Sequence, residues 1–169
     1  KGGKYLVLPP DYTGEVPPGY VVLRPSTYGN WFFFRAFLVD GATAPGVESV
    51  KKNLKIYQLS DAANPPAIKF VNASGVPANF VAPGDYSFWT LLNQVIQEEP
   101  PGGSDATTLG LFASIGIVKG QPFAPDERMK KILTDAANIG AVTARTIAFK
   151  VRSPEAYFYA NSPWRLPFF

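Results

Sequence analysis

The ten residues Asn30–Val39 (NWFFFRAFLV) constrain the fold more than any other stretch of the chain. In strand alternation Trp31, Phe33, Arg35 and Phe37 fall on one face, and Asn30, Phe32, Phe34, Ala36 and Leu38 on the other. Both faces are largely apolar, the pattern of a central strand covered on both sides. Asp40-Gly41 then supplies a turn.

Short strand-like runs surround this segment. Tyr5–Leu8 is apolar and stops at Pro9-Pro10; Asp11–Gly19 reads as a loop or wide hairpin connection; Tyr20–Arg24 is β-branched and aromatic. Val47, Val50 and Leu54 have the spacing of a short amphipathic helix over 47–54. Lys55–Leu59 and Ala67–Val71 read as two further strands, and Asn72–Pro83 as a loop.

From Asp85 onward the pattern becomes helical. Asp85 is suited to cap a helix ending at Glu98, with Phe88, Leu91, Leu92, Val95 and Ile96 as its apolar stripe. Pro100-Pro101-Gly102-Gly103 stops it, and Ser104 or Asp105 caps a second helix over 106–114. A third starts at Pro125-Asp126 and extends toward Ala148, with Met129, Ile132, Leu133, Ala136 and Ile139 as its face. The fold class is therefore α+β: a β-rich part over 1–84, a three-helix segment over 85–150, and an irregular aromatic stretch over 151–169.

Composition removes whole classes of chemistry. The 169 residues include no cysteine and no histidine. A disulfide framework, a Cys/His zinc site and a thiolate nucleophile are excluded within this sequence, and a serine triad would need its histidine from elsewhere. No cofactor-binding or metal site is expected; Lys1-Gly2-Gly3-Lys4 and Gly102-Gly103-Ser104 lack phosphate-loop and dinucleotide spacings and read as turns. The 16 basic and 13 acidic residues give a net charge of +3, and the basic ones form only small groups (Lys51, Lys52 and Lys55; Lys130 and Lys131). This is a solvated surface, and no nucleic-acid partner is expected. Apolar runs such as Trp31–Phe34 fall far short of the roughly 20 residues of a transmembrane helix. Asn72-Ala73-Ser74 is an N-glycosylation sequon, relevant only in a eukaryotic secretory pathway.

Few residues remain as candidates for function. Arg35, among aromatics, reads as an anion or substrate clamp, or as half of a structural ion pair with Asp40 or a carboxylate outside this segment. Glu98-Glu99 point about 100° apart on a helix, and read as a solvated terminus rather than an acid–base pair. Tyr157, Phe158, Tyr159, Trp164, Phe168 and Phe169 suit sugar stacking or a protein interface, or burial on a neighbouring domain. The candidate binding residues are Trp31, Arg35, Asp40, Tyr157, Tyr159 and Trp164; no catalytic residue is assigned. The start at Lys1 and the apolar finish Leu166-Pro167-Phe168-Phe169 lead us to expect a piece of a longer chain.

Several runs resemble the family named domain of unknown function 1254: Lys4–Pro10, Gly14–Pro17, Tyr20–Thr27, Trp31 with Arg35, and Leu38–Gly41. Leu54–Ser60 is similar to a strand of that family, with Gln58 where proline is expected. Phe70–Asn72, Gln97–Pro100, Leu111–Gly116, Lys119–Phe123 and Asp126–Lys131 extend the resemblance over nearly the whole chain. The resemblance implies a bacterial, often exported protein in which a second domain of unknown function, numbered 1214, usually follows. It implies a partial, jelly-roll-like β-sandwich completed outside this chain, with 151–169 as a linker toward a C-terminal domain. It brings no catalytic motif.

Two functions are expected from these readings. The first is a non-catalytic exported module, periplasmic or extracellular, that binds a glycan, an envelope polymer or a partner protein. Its partners would include the remaining parts of the same protein, and an oligomer is compatible with it. The alternative is a hydrolase-like enzyme acting on a glycan or related polymer, with a carboxylate site shared with the missing domain.

Overall fold

A computed structural model describes residues 3–151 and 153–159. The chain divides into two compact units, residues 1–78 and 79–169.

The first unit is built on two short strands, β1 (Tyr5–Val7) and β2 (Val21–Leu23). They pair in parallel with Tyr5 opposite Val21, and two further hydrogen bonds extend the ladder: Leu8 N–H to Leu23 O at 3.0 Å and Val21 N–H to Lys4 O at 2.8 Å. The pairing is parallel because the proline-rich connection crosses over instead of folding back as a hairpin. That connection is tied to the chain beyond β2: Arg24 donates to Tyr12 O at 3.2 Å, and the Tyr28 hydroxyl donates to Asp11 Oδ2 at 3.1 Å. Leu6 and Leu8 are buried. Helix α1 (Ala44–Asn53) follows, with proline in its first turn.

The second unit is helical: α2 (Ser87–Glu98), α3 (Ala106–Ser114) and α4 (Glu127–Phe149). The caps follow from the sequence. Asp105 accepts from Thr108 N–H at 3.0 Å, and Asp126 accepts from Met129 N–H at 2.7 Å. Asp85 sits one residue further out than a cap and receives both the N–H and the hydroxyl of Ser87. Ile117, Leu133, Ala137 and Ala156 are buried in this unit. The Trp89 indole donates to Leu133 O at 2.6 Å, fixing α2 against α4.

The α+β class and the three-helix segment agree with the sequence reading. The strands do not extend as far as expected. Asn30–Val39, Lys55–Leu59 and Ala67–Val71 form no strand, and 59–61 is a turn of 3₁₀ helix. Among the described residues the only sheet has two strands, so a jelly-roll sandwich is absent there. The reason at Asn30–Val39 is local. Asp40 and Gly41 both have positive φ, 51° and 77°, and Val39 and Ala42 exchange hydrogen bonds of 3.2 and 2.9 Å. This is the start of a two-residue hairpin. The returning arm never forms, because α1 begins at Ala44 and takes those residues into a helix.

Helix α1 also differs in register. Its inward residues are Gly46, Val50 and Leu54, whereas Val47 is exposed. A Cβ on Gly46 would stand 2.9 Å from Ala36 Cβ and 3.1 Å from the Phe37 carbonyl oxygen. The missing side chain lets the helix press directly on the backbone of the aromatic run. In α4 the buried residues are Leu133, as expected, and Ala137, whereas Ile132, Ala136 and Ile139, expected on the buried face, are exposed.

Candidate binding surface

The aromatic run keeps strand periodicity without a strand partner. The rings of Phe32 and Phe34 stack at 6.4 Å with planes 18° apart. The Arg35 guanidinium carbon lies 5.2 Å from the centre of the Phe33 ring. Both are contacts two residues apart, so alternate side chains share a side, as the sequence reading required. What is missing is cover: Trp31 is 84% exposed, Phe33 70% and Phe37 93%. Among the described residues, no strand pairs with 32–38.

Arg35 therefore has an aromatic partner, and no ion pair joins it to Asp40 among the described residues. Stacking on a ring suits a weakly hydrated guanidinium and leaves its edge for an acceptor. Asp40 shapes the backbone: its left-handed φ is one that aspartate tolerates better than most residues. Trp31, Arg35 and Asp40 thus lie on one segment that ends in a turn and rests on Gly46.

Two of the other three candidates belong to the second unit. Tyr157 and Tyr159 are exposed beside a 3₁₀ turn over Pro154–Ala156, and Trp164 lies outside the described residues. Phe168 and Phe169 lie outside them as well.

Sequence reasoning missed a polar clasp in the second unit. The Lys119 ammonium donates to the carbonyls of Gln97 and Glu99, both at 2.7 Å, and to Ile96 O at 3.4 Å. Gln97 answers by donating to Val118 O at 3.0 Å and accepting from Gly120 N–H at 2.7 Å. A cation thus closes the negative end of α2, satisfying carbonyls that have no partner within the helix. The glycine at 120, with φ of 78°, was the available signal, since it marks a turn held in the left-handed region.

Among the described residues, no three acidic side chains converge in a group able to hold a metal ion. Asp85, Asp105 and Glu155 are held below the usual carboxylate range, foremost by the hydroxyls of Ser87, Thr108 and Ser153. That direction is opposite to the one a general acid needs. No helix among the described residues is long and apolar enough to cross a membrane.

Residues 1–58 match the family described as "Protein of unknown function (DUF1254)". This N-terminal segment is similar to that family over about a third of the chain. The DUF1254 segment contains β1, β2, the aromatic run, the Asp40-Gly41 turn and α1, and it ends shortly after that helix. The resembling runs after residue 58, including both halves of the Lys119 clasp, lie beyond the match. No curated protein matches the chain.

Proposed function

We propose that this chain is a non-catalytic module whose 31–39 run is an association surface for a protein partner. The observation that carries this reading is the run itself: alternating aromatics on two sides, exposed, without a strand neighbour over 32–38. A strand from a partner would pair with the backbone on the side that α1 leaves open and shield the rings, the mode of recognition by strand addition. In this reading the partial sandwich is completed by the partner, the remaining parts of the same protein being the first candidates. Phenylalanine dominates the run, and its ring has no polar handle for sugar hydroxyls, which favours protein over glycan. An exported location belongs to the same proposal and rests on the family resemblance.

The test is photo-crosslinking in the native cell, with a photoreactive phenylalanine analogue at position 37. Discrete protein adducts, abolished by Phe33→Asp together with Phe34→Asp, are expected. Adducts to polysaccharide, or none, would overturn the reading.

A further inference from the structure

Helix α4 carries two stripes. Leu133 and Ala137 are buried within the second unit. On the opposite side lie Arg128, Ile132, Asp135, Ile139, Val142, Thr146 and Phe149, and every one of them is exposed. Their spacing alternates four and three residues over the whole length of the helix. That spacing makes the seam by which one helix packs along another. The apolar members are well out in solvent: Ile139 is 66% and Phe149 81% exposed. The Thr146 hydroxyl already donates to Val142 O at 2.9 Å, so its polar group is satisfied inside the helix. At the C-terminal end Val142, Arg145, Thr146, Phe149 and Lys150 line an open depression of about 510 Å³, room for a side chain of a facing helix.

Charge selects the occupant. Arg128, Arg145 and Lys150 stand on or beside the seam, in no ion pair among the described residues. Its acidic neighbours are already paired: Asp135 with Lys131 at 3.3 Å, and Glu127 with Lys130 at 2.6 Å. We infer that the outer face of α4 docks one helix of a partner protein, a helix with apolar residues at four–three spacing flanked by aspartate or glutamate. A second copy of α4 would bring the same cations against these. A membrane surface would draw Asp135, at mid-seam, toward the acyl layer. The inference concerns a different unit from the aromatic run and does not depend on it.

The chain is to be titrated with a fluorescent three-heptad peptide carrying leucine at the seam positions and glutamate at the flanks. A second peptide differs only in having lysine flanks. Saturable binding of the first is expected, at least about tenfold tighter than the second and weakened by salt. Ile139→Asp and Val142→Asp should each weaken it about tenfold, consistent with loss of a buried apolar contact. Arg145→Glu with Lys150→Glu, both exposed, should shift preference toward the lysine-flanked peptide. Thermal melts verify that each variant is folded. Absence of saturable binding, equal binding of both peptides, or indifference to Ile139→Asp would overturn the inference. So would binding to phosphatidylglycerol vesicles without binding to the peptide.

Discussion

At the scale of single residues, polar side chains close the ends of helices. Lys119 is the clearest case, because one ammonium serves three carbonyls at the end of α2. Lys119→Met should lower the stability of the second unit by about 1–2 kcal/mol, the low end for charged hydrogen bonds because the group is exposed; thermal unfolding measures it. Asp126→Ala removes the cap of α4 and should cost about 1 kcal/mol, whereas Asp126→Asn keeps most of it. The lowered pKa values of Asp85, Asp105 and Glu155 set a pH dependence. In the unfolded chain these carboxyls titrate near about 4. A folded pKa below that contributes stability that is fully present above the unfolded value and is lost as pH falls through the folded one. Helical circular dichroism should therefore hold from neutral pH to about 4 and decline below it. Asp105→Asn, which keeps the Thr108 contact without titrating, should flatten that decline.

At the scale of elements, the decisive competition is between the aromatic run and α1. The hairpin turn at Asp40-Gly41 is made, yet the residues that would return as a strand become a helix. Gly46 then holds that helix against Ala36 and Phe37. Gly46→Val should destabilise the first unit by about 1–3 kcal/mol, since overpacking against a backbone carbonyl outweighs any gain in helix propensity. Denaturant unfolding, with faster amide exchange at Ala36–Val39, would register it. These elements also show what was legible in the sequence. The three later helices could be read, and so could Asp105 as one of two cap candidates, because capping and periodicity are local signals; Asp85, read as a cap, stands one residue outside it, and Asp126, read only as an acid near the helix start, is the cap of α4. The alternation of Phe32, Phe33, Phe34 and Arg35 was legible for the same reason. The absence of a strand at 30–39 was not, because pairing depends on a neighbour that no local pattern specifies. Nor was the buried face of α4, where Ala137 rather than Ile139 packs inward: small residues mark close approach between elements, which hydrophobicity does not reveal.

At the scale of the whole molecule, each unit exposes apolar surface of its own. In the first unit it is the run from Trp31 to Val39; in the second it is the outer seam of α4. Contiguous apolar surface flanked by polar groups marks interaction sites in folded proteins. Under the proposed function a protein strand covers the 31–39 run. Amide hydrogen exchange at residues 32–38 tests it most directly, comparing the isolated chain with the protein drawn intact from its host together with its companions. Rapid exchange is expected in the isolated chain and protection of these amides in the companion-bound protein, with the sharpest change at Phe33–Phe37. Rapid exchange in both samples would contradict it.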